Sequence, residues 1–263
     1  MKNGAPGQER LPRFASFWHL SDAARGGAGG GDAFGSLERV MALSGEVVSE
    51  GPLSRVLRVS VDSREYYVKI YTAGGKGLRR YLGRSRARAE WENLIFFRCL
   101  KISVPELVAF GQETRFGVFR RGALITEAVA DTDDMARLAM AKSPRLSDRR
   151  WIRKVGGQIA CFTRRLHGVG FVHVDLKWRN ILVTRGAEPK VYFFDCPLGG
   201  GQRGFLLKRG IVKDLACLDK VARGQLSKVE RLWFYKAYTG RKGLLALDRR
   251  MIGKVLAFFN GRR

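Results

Sequence analysis

Phe171–Asp195 reads FVHVDLKWRNILVTRGAEPKVYFFD. Two short runs inside it, ILVT and KVYFF, carry the β-branched and aromatic residues that suit strands. Ahead of the first lies a polar segment holding Asp175, Lys177, Arg179 and Asn180; at the end of the second stands Asp195, twenty positions beyond Asp175. Upstream, Val155, Ile159, Phe162 and Leu166 recur at steps of four, three and four. That is the period of an amphipathic helix, capped by Ser147 and stopped by Gly168 and Gly170. Helices are expected again over about 213–223, 226–238 and 244–259, which makes the second half mostly helical.

The first half has a different texture. Segments 46–49, 53–61 and 65–71 are short, rich in Val and Tyr, and separated by Gly51-Pro52 and Asp62-Ser63, the pattern of three consecutive antiparallel strands. A helix follows from about Arg84 to Leu100, with Leu94, Phe97 and the carboxylate Glu90 on one side. VPELVAFG and GALITEAVA supply two further strands. A small antiparallel sheet with one main helix, then a mostly helical half, is an α+β chain in two lobes. The expected divisions are a loose Gly-rich arm over 1–33, an N-lobe over 34–129 and a C-lobe over 130–263.

Transfer of a phosphoryl group from ATP needs a residue to orient the accepting hydroxyl, cations beside the phosphates, and oxygen ligands for Mg²⁺. Each has a candidate. His173-Val174-Asp175-Leu176-Lys177-Trp178-Arg179-Asn180 matches the kinase catalytic loop HRDLxxxN at all but one fixed position. Asp175 would accept the hydroxyl proton, Lys177 would neutralise transferred phosphate, and Asn180 and Asp195 would hold the metal. Lys69, in the third strand within YVKIY, stands where the VAIK lysine of kinases does, and Glu90 is its natural partner, with Glu92, on another side of the helix, the weaker candidate. Ser49, Gly51 and Ser54, around the first turn, and Glu127, in the last strand, complete the expected nucleotide contacts.

Three features depart from a protein kinase. The turn after the first strand has one glycine and is not GxGxxG. Val174 replaces the arginine that pairs with a phosphorylated activation loop, and Cys196-Pro197 replaces Phe-Gly after the metal-site aspartate. No APE motif follows before Asp214, which argues for a small or lipid-linked acceptor rather than a peptide.

The chain has 263 residues, with 49 Lys and Arg against 24 Asp and Glu, a net charge of +25. Such a surface attracts nucleic acid, acidic membranes or phosphorylated substrates and repels polycations such as aminoglycosides. Nothing resembles RNP1, KH or a zinc finger, so no nucleic-acid partner is expected. Cys99, Cys161, Cys196 and Cys217 are widely spaced and read as reduced thiols. His167 and His173 are expected to brace the catalytic loop rather than bind metal. The N-terminus lacks a secretory h-region, and no run approaches 18 apolar residues. The basic run Lys76, Arg79, Arg80, Arg84, Arg86, Arg88 is either a phosphate or headgroup contact or a solvated face. Met251–Phe259 is expected to pack in the C-lobe rather than lie on a membrane.

From about residue 36 onward the chain resembles the Kdo/WaaP (InaA-type) lipopolysaccharide kinase family. The resembling residues are Tyr67-Val68-Lys69, Arg88-Ala89-Glu90-Trp91, Leu166-His167, His173 to Val183, Asp195-Cys196-Pro197 and Lys213-Asp214-Leu215. Asp-Cys-Pro and the LKWRN loop resemble its WapP-like branch. The resemblance implies a two-lobed protein-kinase-like fold and an ATP- and Mg²⁺-dependent enzyme. Its acceptor would be an inner-core sugar, heptose before Kdo, of a lipid A–core precursor. It also implies a peripheral place on the anionic cytoplasmic face of the bacterial inner membrane. The competing readings are a kinase for another small molecule or a protein, and a nucleic-acid-binding or scaffold protein on a kinase-like fold.

Overall fold

The computed structural model describes residues 16–22, 32–75, 77 and 83–261. The glycine run 26–31 and, within the basic run, Lys76, Arg79 and Arg80 lie outside the described residues. The chain divides into two compact units, Met1–Trp91 with Glu106–Ala128, and Glu92–Pro105 with Val129–Arg263. The segment 92–105, expected in the N-lobe, therefore belongs with the helical unit.

The first unit comprises β1 (Phe17–Leu20), α1 (Leu37–Met41), β2 (Glu46–Glu50), β3 (Ser54–Val61), β4 (Arg64–Tyr71), the start of α2 (Arg86–Cys99), β5 (Leu107–Arg115) and β6 (Val118–Glu127). Its six strands pair antiparallel in the order β1-β5-β6-β4-β3-β2. Strand period decides which face each residue serves. Tyr66, Val68 and Ile70 of β4 are buried with Leu57 and Val59 of β3, under a lid made by Phe34 and by Leu37 and Val40 of α1. Ser36 caps α1 by accepting from Arg39 N. Lys69 and Tyr71 alternate with that set and so face the other side of the sheet. Asp62 and Ser63, with φ of 49° and 62°, form the two-residue β3–β4 turn, whose positive dihedrals match strand twist. The expected arm over 1–33 contains a strand: β1 pairs with β5, and Trp18 Nε1 donates to Phe34 O at 2.8 Å.

The second unit follows with β7 (Thr132–Asp134), α3 (Met135–Met140), α4 (Arg149–Gly168), β8 (Phe171–Val172), β9 (Ile181–Thr184), β10 (Val191–Phe193), β11 (Gly200–Gly201), α5 (Gly204–Gln225), α6 (Lys228–Thr239) and α7 (Ala246–Ala257). Two small sheets, β10-β9-β7 and β11-β8, support the polar loop between them. Asp148 rather than Ser147 caps α4, accepting from Arg150 N; Ser147 ends a short 3-10 turn. α5 begins nine residues before the expected position 213. α6 opens on a reciprocal Ser227–Glu230 capping box and ends at Gly240, whose φ of 70° suits glycine. Val255 of α7, with Ile252 and Phe259 beside it, packs into a cluster with Leu215 and Tyr235, so the last helix belongs to the core as expected. No helix among the described residues is long and apolar enough to cross a membrane. An antiparallel sheet with one main helix and a mainly helical unit is the kinase-like α+β architecture expected above.

Candidate active site

In the sheet unit, β4 presents Lys69 to Glu90 on the first turns of α2, with Nζ 2.8 and 3.1 Å from the two carboxylate oxygens. Both side chains are largely withdrawn from water, and Tyr71 donates its hydroxyl to the same carboxylate. The next residue, Trp91, anchors this part of α2 to the sheet, stacking on Phe110 and meeting Phe17 edge-on. The expected Lys69–Glu90 pair is thus brought together. Tyr71 was not legible as part of it, although two positions along a strand always share a face.

Ser49, Gly51 and Ser54 occupy the hairpin joining β2 and β3, where Gly51 N donates to Ser54 O at 3.0 Å. All of β2 is exposed, and a bulge separates Val47 from Ser49. Glu127 ends β6, its carboxylate 3.7 Å from Arg64 and its N–H donating to Glu106 O.

In the helical unit the chain leaves β8 at Val172 and enters the polar loop. Val174 takes φ of 72°, unfavourable for a β-branched residue. Asp214 of α5, fully buried, holds it there, accepting from His173 N at 2.7 Å and Val174 N at 2.8 Å. His167, at the end of α4, lies 3.3 Å from Asp214 through Nε2 and 2.9 Å from the Tyr238 hydroxyl through Nδ1. His173 braces the loop differently. Neither ring nitrogen has a hydrogen-bond partner among the described residues, and the ring packs between Phe97 and Phe193. Burial lowers its pKa against the pull of Asp214, Asp195 and Asp175, which favours the neutral ring.

Asp175 meets Lys177 Nζ at 2.6 Å and Arg179 at 3.4 Å. Burial, the largest influence on this carboxyl, pushes its pKa up, but the hydrogen bond and charge of Lys177, aided by Arg179, outweigh it and hold the group below its ordinary value. Asn180 Nδ2 donates to Asp175 O at 2.8 Å, which fixes the amide and leaves its oxygen as the atom for a ligand. Asp195 lies two residues past β10 with φ of 57°. Asn93 Nδ2 holds the segment after it, donating to Cys196 O at 2.7 Å and Gly199 O at 3.1 Å. A Cβ on Gly199 would come within 3 Å of Cys196 Sγ and the Phe171 ring, so glycine is required there.

The helical unit therefore brings Asp175, Lys177 and Asn180 into direct contact. Sequence reasoning missed the roles of Arg179, Asn93 and Tyr238. It named Asp214 as part of a motif without seeing that its carboxylate carries the loop. The cysteines are free, as expected, and burial pushes the Cys217 thiol up to about 11, an unreactive state. Replacing Asp214 with Ala strands the buried His173 N–H and the part-buried Val174 N–H, and a buried unsatisfied group costs about 1–3 kcal/mol. Urea unfolding of Asp214→Ala is expected to show a stability loss of at least about 2 kcal/mol.

The lipopolysaccharide kinase (Kdo/WaaP) family model matches residues 38–238. The chain is 29% identical over 144 residues to lipopolysaccharide core heptose(I) kinase WaaP of Pseudomonas aeruginosa, a match covering 52% of this chain and 54% of that one. It thus spans about half the length of that relative. Among solved structures, WaaP in complex with acyl carrier protein shares the fold with a TM-score of 0.72 at 24% identity, over 92% of this chain and 95% of that one. With the family model matched across far more than half of its length, the chain belongs to the lipopolysaccharide kinase (Kdo/WaaP) family.

Proposed function

We propose that the protein is an ATP-dependent kinase that phosphorylates a hydroxyl of an inner-core sugar of lipopolysaccharide, heptose before Kdo. The observation that carries this reading is the Asp175 carboxylate, kept ionised by Lys177 on a loop whose backbone Asp214 fastens. An ionised carboxylate accepts the proton of a hydroxyl as it attacks, and the adjacent ammonium offsets charge on the transferred phosphoryl group. Preference for heptose rests on the Pseudomonas aeruginosa relative, named a heptose(I) kinase.

Lys69 is assigned to the nucleotide phosphates, with Glu90 and Tyr71 fixing its reach. Ser49, Gly51, Ser54 and Glu127 are assigned to the remaining nucleotide contacts. Asn180 and Asp195 are assigned to Mg²⁺. Among the described residues no cluster of three or more His, Cys, Asp and Glu could cage a metal by itself. The donor set that is present, one amide oxygen and one carboxylate, suits a hard cation that takes its other ligands from phosphates and water. Bound there, such an ion would neutralise phosphate charge.

A second partner is favoured by one observation. The helical unit holds an open apolar pocket of about 340 Å³, lined by Trp151, Val155, Ile159, Trp178, Leu215 and Leu218. WaaP was solved with acyl carrier protein, and a cavity of this lining fits an acyl chain. We infer that an acyl carrier protein inserts its acyl group here. Trp178 connects the cavity to the polar loop, since it precedes Asn180 by two residues and donates Nε1 to Leu218 O.

Three measurements test these readings. Labelled ATP and Mg²⁺ are supplied with dephosphorylated core oligosaccharide, and Asp175→Asn is expected to lower turnover at least about 10²-fold; retained turnover removes Asp175 from its role. Because the folded pKa of Asp175 is depressed, activity is present above that value and lost as pH falls through it. Lys177→Ala removes the strongest lowering contact, so the acid limb of the pH–rate profile is expected to move to higher pH, whatever the drop in maximum rate. Long-chain acyl carrier protein is expected to raise the melting temperature, uncharged carrier protein is not, and Ala222→Phe, which fills the cavity, is expected to abolish the rise.

A further inference from the structure

Some arginines of the helical unit are held in ion pairs: Arg179 with Asp175, Arg185 with Asp133, Arg231 with Asp219. The first turns of α5 carry cations that are not. Arg203, Lys208 and Arg209 are exposed and have no salt bridge among the described residues. Between them, Phe205 and Leu206 are 74% and 63% exposed, on a helix whose remaining length is anchored in the core.

Helical spacing places Lys208 and Arg209 three and four positions after Phe205, on the same face. No acidic residue occurs between Asp195 and Asp214. Two bulky apolar side chains ringed by unpaired cations are a poor fit to water. They fit a lipid surface, where rings and aliphatic chains enter the acyl boundary and cations meet anionic headgroups.

We propose that Arg203–Arg209 is a membrane-docking turn, whose occupant is the anionic surface of a bilayer. This rests on the proposed function in one respect: a lipid-linked acceptor gives the docking its purpose. The fold ties the turn to the chemistry. β11 pairs with β8 immediately before the polar loop, and Gln202 N donates to Gly170 O at 2.7 Å. Asp214, nine residues along the same helix from Phe205, grips His173 and Val174. At 1.5 Å per residue that is about 13 Å. A bilayer under Phe205 and Leu206 would therefore fix how far Asp175 stands from the lipid, selecting a hydroxyl by its height above the membrane.

Full-length protein is sedimented with vesicles of phosphatidylglycerol or of phosphatidylcholine. Wild type is expected to bind the first, more weakly as salt rises, and not the second. Phe205→Ser with Leu206→Ser is expected to weaken binding at least about tenfold, while leaving phosphate transfer to a soluble, delipidated core oligosaccharide at the wild-type rate. Phe205→Trp with Leu206→Trp is expected to preserve binding. Arg203→Gln, Lys208→Gln and Arg209→Gln together are expected to flatten the salt dependence, an independent reading should the serine variant misfold. Wild-type binding by both the serine and the glutamine variants overturns the proposal. So does a serine variant that keeps vesicle binding and loses the soluble acceptor, because the patch then grips sugar. Vesicle binding by a protein that transfers phosphate to no core acceptor sinks the functional reading and leaves the docking turn standing.

Discussion

One buried carboxylate carries the candidate site. The loop from His173 to Asn180 has almost no regular structure to hold it, and it contains a valine in a backbone region that valine disfavours. Such a conformation persists only where the surroundings over-determine it. Asp214 does so by accepting two successive backbone N–H groups. His167 and Tyr238 then fix the carboxylate from behind. Asp175 follows the strained residue directly, so its direction is set by a helix forty positions further along the chain. Asn180 closes the loop through Asp175 O.

The sheet unit solves a different problem, holding an ammonium ready without hiding it in an apolar core. Strand alternation puts Lys69 opposite Tyr66, Val68 and Ile70, so the residues that fill the core cannot also crowd the lysine. The cost of withdrawing Lys69 and Glu90 from water is offset by two short contacts and by the Tyr71 hydroxyl.

Much of this was legible in the sequence because it depends on local period. β3, β4, α2, β9 and β10 follow from apolar spacing, and the carboxylates and cations of the site stand out because polar residues in apolar surroundings need a reason. What was missed depends on tertiary partners. β1 has four residues beside a glycine-rich run, and only its pairing with β5 makes it a strand. The start of α5 carries Gly204, Phe205 and Leu206 with no buried stripe, so helical period becomes visible only near Val212. Ser147 and Asp148 are adjacent cap formers, and the 3-10 turn decides between them. Asn93 looks like any helix-surface amide until Cys196 and Gly199 arrive from a hundred residues away.

The glycine-poor hairpin bears on how this chain would grip a nucleotide. Gly51 has no positive φ, and a Cβ there would find only Ser54 O, at 3.8 Å, so the hairpin itself does not demand glycine. Its N–H already donates to Ser54 O, within the turn rather than outward. That N–H is therefore not free to join a backbone cradle, the usual device for phosphate oxygens. The cations proposed above for phosphate are side chains, Lys69 in the sheet unit and Lys177 in the helical unit. On that proposal phosphate affinity falls as ionic strength rises, in keeping with a chain whose cations outnumber its carboxylates by 25.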